Sequence, residues 1–539
     1  MTEQKTTKGV SRREFVKGSA IGAAALGLAG LRAKEAEAAS LPTKWDKETD
    51  IIVVGYGGAG AVAAITAREE GAKVLVLEKA AIAGGSTGVC SGSMRVPDNA
   101  AQAAQFIKAV GLGKIDDEMA SVFAESWTQL PDWMKAHGAK ISNAGPTPHM
   151  WTGIFPGAES IKYMMTINRI DGSLGGVGRD LFVFLDKKVR ELGAEVMLNT
   201  PVKRLIQNGV TKEIVGVIAE SGGKQLNIKA KKAVIMTCGG FSANREMMAT
   251  YIEEAPIPIY VSGTPQHTGD GINMVLDVGA ELWHMNGIEW GRDGFKPAEL
   301  PAAFWLDFKA WSLIVVNKDG DRFKDESVSY GHAKKPLETF RFDNSEKQRW
   351  PNYPCYYIFD EKTRLAGPIL MTQRLPGRDS HTTYNVAHEL YYVTDWSKDN
   401  SKEIGKGWIK QGNTLAELAQ RTGINPAGLE AQVAKYNEYC ATGKDPDLFR
   451  PKKFLIPLVT PPYYSVECAV NTINTQGGPR RNAKSQVMNP YGEPIPRLYA
   501  GGEFGSIWGY LYPGACNLPE CIVSGRISGK NAAALKPWS

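Results

Sequence analysis

Gly55-Tyr56-Gly57-Gly58-Ala59-Gly60 sets glycines at the spacing that lets a main chain wrap around a pyrophosphate. Before it runs Asp50-Ile51-Ile52-Val53-Val54, which reads as a buried parallel strand, and after it an Ala-rich stretch to Glu70 reads as a helix. Each position has its task. Gly55 permits the tight turn, Gly57 lets backbone approach the phosphates, and Gly60 brings helix and strand close. Gly58 and Ala59 open the helix, whose N–H groups and dipole face negative charge. A second strand, Lys73 to Leu77, ends at Glu78, 23 positions beyond Gly55, where a carboxylate accepts hydrogen bonds from a ribose. The unit predicts a dinucleotide cradle.

Distant segments return to it. Lys79 and then Gly84-Gly85-Ser86-Thr87 follow the second strand, and Ala194 to Val202 reads as a supporting strand. Ala233 to Cys238 is a strand running into Gly239-Gly240-Phe241, and Leu498-Tyr499-Ala500 runs into Gly501-Gly502-Glu503. A returning strand with Gly-Gly-Glu resembles the FAD-dependent oxidoreductases, where the acidic residue holds ribityl or ribose hydroxyls. Simple NAD folds lack this set, so the resemblance implies FAD, bound non-covalently.

The elements that must position these groups read as an α/β protein: a Rossmann-like FAD-binding domain with an inserted α+β capping domain. The expected boundaries are 45–255 and 466–539 for the cofactor domain and 256–465 for the cap. Gly178-Arg179-Asp180 opens an amphipathic helix, and Leu313 to Val316 is a strand ahead of the Lys318-Asp319-Gly320 turn. Trp283, Trp290, Trp305 and Trp311 read as core packing, with the lining of an apolar pocket as the alternative.

At 539 residues the chain is long enough for two domains, and 43% hydrophobic with 22% charged residues describes a globular protein. The net charge is +6, of which the seven basic and four acidic residues up to Ala38 supply half. No basic stripe remains for nucleic acid. The seven cysteines, Cys90, Cys238, Cys355, Cys440, Cys468, Cys516 and Cys521, form no CxxC, haem-attachment or metal-ligand pattern, and read as buried thiols. Residues 1–38 read as an address: Ser11-Arg12-Arg13-Glu14-Phe15-Val16-Lys17 matches the twin-arginine signature. The weakly apolar run Gly18 to Leu31 and an Ala36-Glu37-Ala38 cleavage site follow. This predicts a twin-arginine translocase as partner and a destination in the periplasm or cell-envelope exterior.

On Gly55 to Gly60, Gly84-Gly85-Ser86, Gly239-Gly240-Phe241, Thr268-Gly269-Asp270-Gly271, Asn317 through Arg322-Phe323 and Gly501 to Asn517, nearly the whole mature chain resembles the fumarate reductase/succinate dehydrogenase flavoprotein family. In motif it is nearest to 3-ketosteroid dehydrogenases and twin-arginine-exported bacterial FAD-dependent reductases. The resemblance adds Asp270, Asn517 and Leu518 to the cofactor-binding set. Fumarate reductases carry an arginine acid eight residues after the Arg-Phe pair, where Tyr330 stands here, and a clamping arginine where Tyr512 stands. Two dicarboxylate anchors are replaced by phenols, which argues against fumarate itself. Ketosteroid dehydrogenases have a catalytic tyrosine in the cap and a Tyr-Pro-Gly-Ala motif, matched by Tyr512-Pro513-Gly514-Ala515; Cys516 departs from their last glycine.

The expected reaction is reduction of an activated C=C bond, enone or cinnamate-like, by hydride from flavin N5. Tyr512, with Gly514 and Cys516 contacting substrate, steadies the growing oxyanion, Tyr330 protonates the α-carbon, and His267 is a further substrate contact. His332 and Lys309 are the bases to consider for the reverse direction. The alternatives are a 3-ketosteroid-type desaturase feeding a quinone-like acceptor and a non-catalytic electron shuttle. Without haem or a second nucleotide fingerprint, electrons must come from an extracytoplasmic donor such as a cytochrome c or quinol-linked protein.

Overall fold

Ile51 and Val53 turn to one side of a sheet and Ile52 and Val54 to the other, and all four are buried. This is why their strand is apolar without alternation: both faces are covered. In the computed structural model it is β1, Lys47–Val54, followed by α1, Gly58–Glu69, and β2, Val74–Leu77. The described residues are 41–538 except 171, 173–176, 254–256, 301, 329–335, 347, 375–380 and 384–394. The proposed signal, Tyr330 and His332 lie outside them.

The sheet continues through α2 (Gly85–Val89), α3 (Gly178–Glu191), β3 (Glu195–Met197), β4 (Val202–Gln207), β5 (Ile214–Ser221) and β6 (Lys224–Met236). The expected strand from Ala194 to Val202 is thus two, broken where Asn199 takes a φ of 49°. Next come α4 (Asp270–Asp277) and β7 (Ile288–Trp290). The cap follows, with β8 (Leu313–Asn317), β9 (Cys355–Asp360), β10 (Lys410–Gly412), α5 (Pro426–Thr442) and β11 (Tyr463–Cys468). β12 (Asn471–Thr475), β13 (Gln486–Met488), β14 (Pro494–Ala500) and α6 (Asn517–Ala533) return to the cofactor domain.

The strand order is β13-β14-β6-β1-β2-β3, parallel from β14 to β3, with β4 and β5 attached to β6 as an antiparallel extension. The last helix, α6, lies against the first, α1. Cβ atoms added at Gly525 and Gly529 would fall 2.8 Å from Ala59 O and 2.6 Å from Ala63 O, so this approach needs glycine.

The cap is an antiparallel sheet, β8-β9-β11-β10, built on the same alternation. Ile314, Val316, Tyr356 and Ile358 pack under Leu418, Leu429, Val433 and Tyr436 of the cap helices, while Leu313, Val315, Tyr357 and Phe359 form the core on the other face.

The boundary expected at 255/256 needs correction. Ile257, Ile272, Val275, Ile288 and Trp290 pack with Ile52 and Val54 beneath the main sheet, so this stretch belongs to the cofactor domain. Val470 joins the same cluster, and Gly294 pairs with Ala469 where the chain crosses. The cap therefore spans about 294–469. Trp283, Trp290 and Trp305 are buried as expected. No helix among the described residues is long and apolar enough to cross a membrane.

Candidate cofactor cradle and reaction centre

At the carboxyl ends of β1, β2, β6 and β14 the chain forms a cavity that opens to solvent. Gly55 takes a φ of +99°, and a Cβ there would lie 2.4 Å from Thr237 O. Gly60 supports the helix from behind, its added Cβ falling 2.1 Å from Gly55 O. At Gly57 an added Cβ meets only Gly84 O, at 3.6 Å, so this position faces space that the protein itself leaves clear. Glu78 accepts from the Tyr56 and Ala80 amides, both at 2.8 Å, which fixes its carboxylate at the cavity wall. Lys79 Nζ reaches Thr268 Oγ1 at 2.5 Å and Asp270 Oδ2 at 2.7 Å, tying the end of β2 to the start of α4. Burial raises the Asp270 carboxyl, but the Lys79 bond and charge outweigh it and hold the group below its ordinary value.

Of the expected cofactor residues, Gly55, Gly57, Gly58, Ala59, Glu78, Lys79, Gly85, Ser86, Thr87, Val202, Gly239, Asp270, Gly502 and Glu503 line the cavity. Gly60, Gly84, Gly240, Asn517 and Leu518 do not. Gly60, Gly84 and Gly240 admit Gly55, Phe182 and Thr475 at close range, and Leu518 packs in the core under α1. His267, expected as a substrate contact, lines the same cavity, 3.2 Å from Ser86 Oγ and 3.5 Å from Glu503 Oε2. Burial, helped by the Lys79 charge, pulls its pKa down to about 3, so the imidazole is neutral and the contact with Glu503 is not an ion pair.

From Glu503 a buried polar bridge leads away from the cradle. Asn474 Nδ2 donates to Glu503 Oε1 at 2.7 Å and to Glu289 Oε2 at 2.9 Å, and Asn517 Nδ2 donates to the same Glu289 oxygen at 3.1 Å. Gln476 Nε2 donates to Asn474 Oδ1 at 2.8 Å. Burial, with the Glu289 charge nearby, pushes Glu503 up to about 8. Three buried atoms around this bridge, His267 Nδ1, Gln476 Oε1 and Asn517 Oδ1, have no protein partner. Each such atom costs about 1–3 kcal/mol when left unmet, which fits a site shaped for a polar ligand. Sequence reading missed Glu289, Asn474 and Gln476, which carry no local motif.

Asn517 joins the bridge to Tyr512. The amides of Cys516 and Asn517, at the start of α6, donate to Tyr512 Oη at 3.2 and 3.3 Å. The N–H of Cys516, a residue expected to contact substrate, is thus directed at the phenol. Burial, reinforced by the Glu289 charge, holds Tyr512 well above its ordinary value and therefore protonated. His149 Nε2 contacts Pro513 O at 2.6 Å, and the Arg95 amide donates to Ala515 O at 2.9 Å, so the Tyr512–Cys516 loop is held from outside. Gly514 supplies the turn at φ +68°.

A family described as FAD binding domain matches residues 50–518. The chain is 30% identical over 511 residues to a urocanate reductase of Eggerthella lenta, covering 90% of this chain and 75% of that one. To a digoxin reductase of the same organism it is 26% identical over 98% of both chains. Among solved structures, 3-ketosteroid delta1-dehydrogenase from Sterolibacterium denitrificans, in complex with 1,4-androstadiene-3,17-dione, superposes with a TM-score of 0.73 at 21% identity, over 90% of this chain and all of that one. That likeness bears on fold.

Proposed function

The chain belongs to the FAD binding domain family and is a FAD-dependent oxidoreductase of the branch that works on carbon–carbon bonds, and we propose that it reduces an activated alkene, an enone or a cinnamate-like acid. The cradle residues fit FAD: the Gly55–Gly60 turn and α1 N-terminus for the pyrophosphate, Glu78 for the ribose, Ser86 and Glu503 for the further hydroxyls. Binding is non-covalent in this reading, as the resemblance of the Gly501-Gly502-Glu503 return to the FAD-dependent oxidoreductases implies. Bound FAD supplies the hydride.

One observation carries the proposal: Tyr512, buried, protonated, and accepting from two main-chain amides at the N-terminus of a 17-residue helix. Those donors polarise the phenol and strengthen its O–H as a donor to a carbonyl oxygen that gains charge as hydride arrives at the β-carbon. A phenol that stays protonated suits this task. Tyr330 is the proposed proton donor to the α-carbon, by its place in the sequence motif. Phenols at both former arginine positions favour a neutral carbonyl over a dicarboxylate.

The reductive direction draws support from the two relatives named as reductases. The twin-arginine motif at Arg12-Arg13 supports export through the twin-arginine translocase to the periplasm or envelope exterior, where a cytochrome c or quinol-linked protein would supply electrons. The second reading is the reverse, a ketosteroid desaturase, favoured by Tyr512-Pro513-Gly514-Ala515. Anaerobic stopped flow separates them. Reduced holoenzyme reoxidised by enones or cinnamates supports the proposal; oxidised holoenzyme bleached by 3-ketosteroids, with no alkene turnover, replaces it by the desaturase. No reaction over a broad panel of both leaves an electron shuttle.

A further inference from the structure

A second group of buried reactive side chains lies where the cap joins the cofactor domain. Cys355 opens β9 and Cys468 ends β11, and the antiparallel register sets them directly opposite one another. Both are buried, and the two thiols are within hydrogen-bonding reach. Facing residues on antiparallel strands have Cα atoms roughly 4.5–5.5 Å apart, inside the roughly 4.4–6.8 Å that a disulfide spans. Lys324 Nζ and Tyr357 Oη each lie 2.6 Å from Asp293 Oδ2, and Cys468 bonds to the same carboxylate. One residue further on, Ala469 and Gly294 exchange main-chain hydrogen bonds of 2.7 and 3.0 Å, which fastens the two chain crossings between domains.

We infer that Cys355 and Cys468 form an intrachain disulfide when the enzyme meets a small-molecule disulfide oxidant. Two S–H bonds break and one S–S bond forms. The two protons and two electrons pass to the oxidant, whose own S–S bond is cleaved to two thiols. Cys468 lines a solvent-open cleft with Tyr353, Tyr356 and Glu467, which gives a reagent a path to it. The hydrogen bond with Cys355, and then burial, keep the Cys468 thiol protonated, against the pull of Lys324, so attack is slow and quickens in alkali. The product ties β9 to β11 beside the crossing and closes a loop of roughly a hundred residues, a length at which a cross-link constrains the unfolded chain strongly.

The test equilibrates purified holoenzyme with oxidised glutathione, then denatures, alkylates and digests it. The expected result is one cross-linked peptide pair carrying Cys355 and Cys468, loss of two of the seven alkylatable thiols, and a higher unfolding temperature that dithiothreitol reverses. Seven thiols recovered, a cross-link elsewhere, or Cys468 found only as a mixed disulfide with glutathione overturns the inference. Cys355→Ser and Cys468→Ser should each abolish the rise in unfolding temperature, while Cys440→Ser should keep it. If either of the first pair fails to fold, the peptide map of the unsubstituted chain decides alone.

Discussion

Glu289 and Glu503 accept hydrogen bonds of 2.9 and 2.7 Å from the same amide nitrogen, Nδ2 of Asn474. Two carboxyls so placed in a buried site resist being charged together. Burial and the Glu289 charge push Glu503 from 4.5 up to about 8. The folded protein therefore keeps a proton that the unfolded chain releases. The stabilisation is full below pH 4.5 and is lost as pH rises through about 8. Thermal unfolding followed across that window should show a falling midpoint, and Glu503→Gln should flatten it. A slope unchanged in the variant would assign it to another group.

His267 predicts the opposite slope. Its pKa falls from 6.5 to about 3 on burial, so its contribution is present above pH 6.5 and lost as pH drops towards 3. Gln in its place carries no titrating group and should remove the acid-side loss. It should also weaken flavin binding by roughly 3- to 10-fold, the worth of one hydrogen bond, as measured by titrating apoprotein with FAD.

Gly57 and Gly60 should fail in different ways. Gly57→Val leaves the fold room, since a Cβ there meets only Gly84 O at 3.6 Å, yet it fills space meant for the phosphates. Folded protein with little or no yellow colour is expected, and circular dichroism with flavin content measures both. Gly60→Val collides with Gly55 O at 2.1 Å and should reduce soluble, folded yield outright.

Tyr512→Phe removes the oxygen that receives the Cys516 and Asn517 amides. Turnover should fall about 10²–10³-fold, the usual loss for an oxyanion donor. The flavin spectrum should stay normal, with unfolding easier by about 1–3 kcal/mol for the amides left without a partner. Tyr330→Phe should cut turnover about 10²–10⁴-fold at unchanged flavin content, as expected for loss of a general acid. Alkene-dependent reoxidation of the reduced enzyme reads both.

The cradle was legible because its chemistry is local: strand, glycine turn, helix and Glu78 lie within one short stretch, and most of the residues read from it line the cavity. The polar bridge was not. Glu289 meets Asn474 only because β7 pairs with β12, nearly two hundred residues later, and neither position has a spacing that marks it. His267 sits beside a motif that could serve either side of the site, and only the folded positions of Ser86 and Glu503 draw it to the cradle. Nothing local in the sequence assigns residues 256–293 to either domain; the packing of Ile257, Ile272 and Ile288 beneath the main sheet does. Trp290 belongs to the core beneath the main sheet. Tyr330 lies outside the described residues, so its part rests on motif alone.

The interleaving of the sheet has a consequence for synthesis. β1 lies next to β6, and β6 next to β14, while α1 rests on α6, so the first and last segments of the fold are direct neighbours. On a ribosome the glycine turn emerges early, and Pro494–Ala500 and Asn517–Ala533, which complete its surroundings, follow only at the end. A product that stops short of them has the Gly55–Glu78 unit but lacks the wall that Gly501, Gly502 and Glu503 add to the cavity.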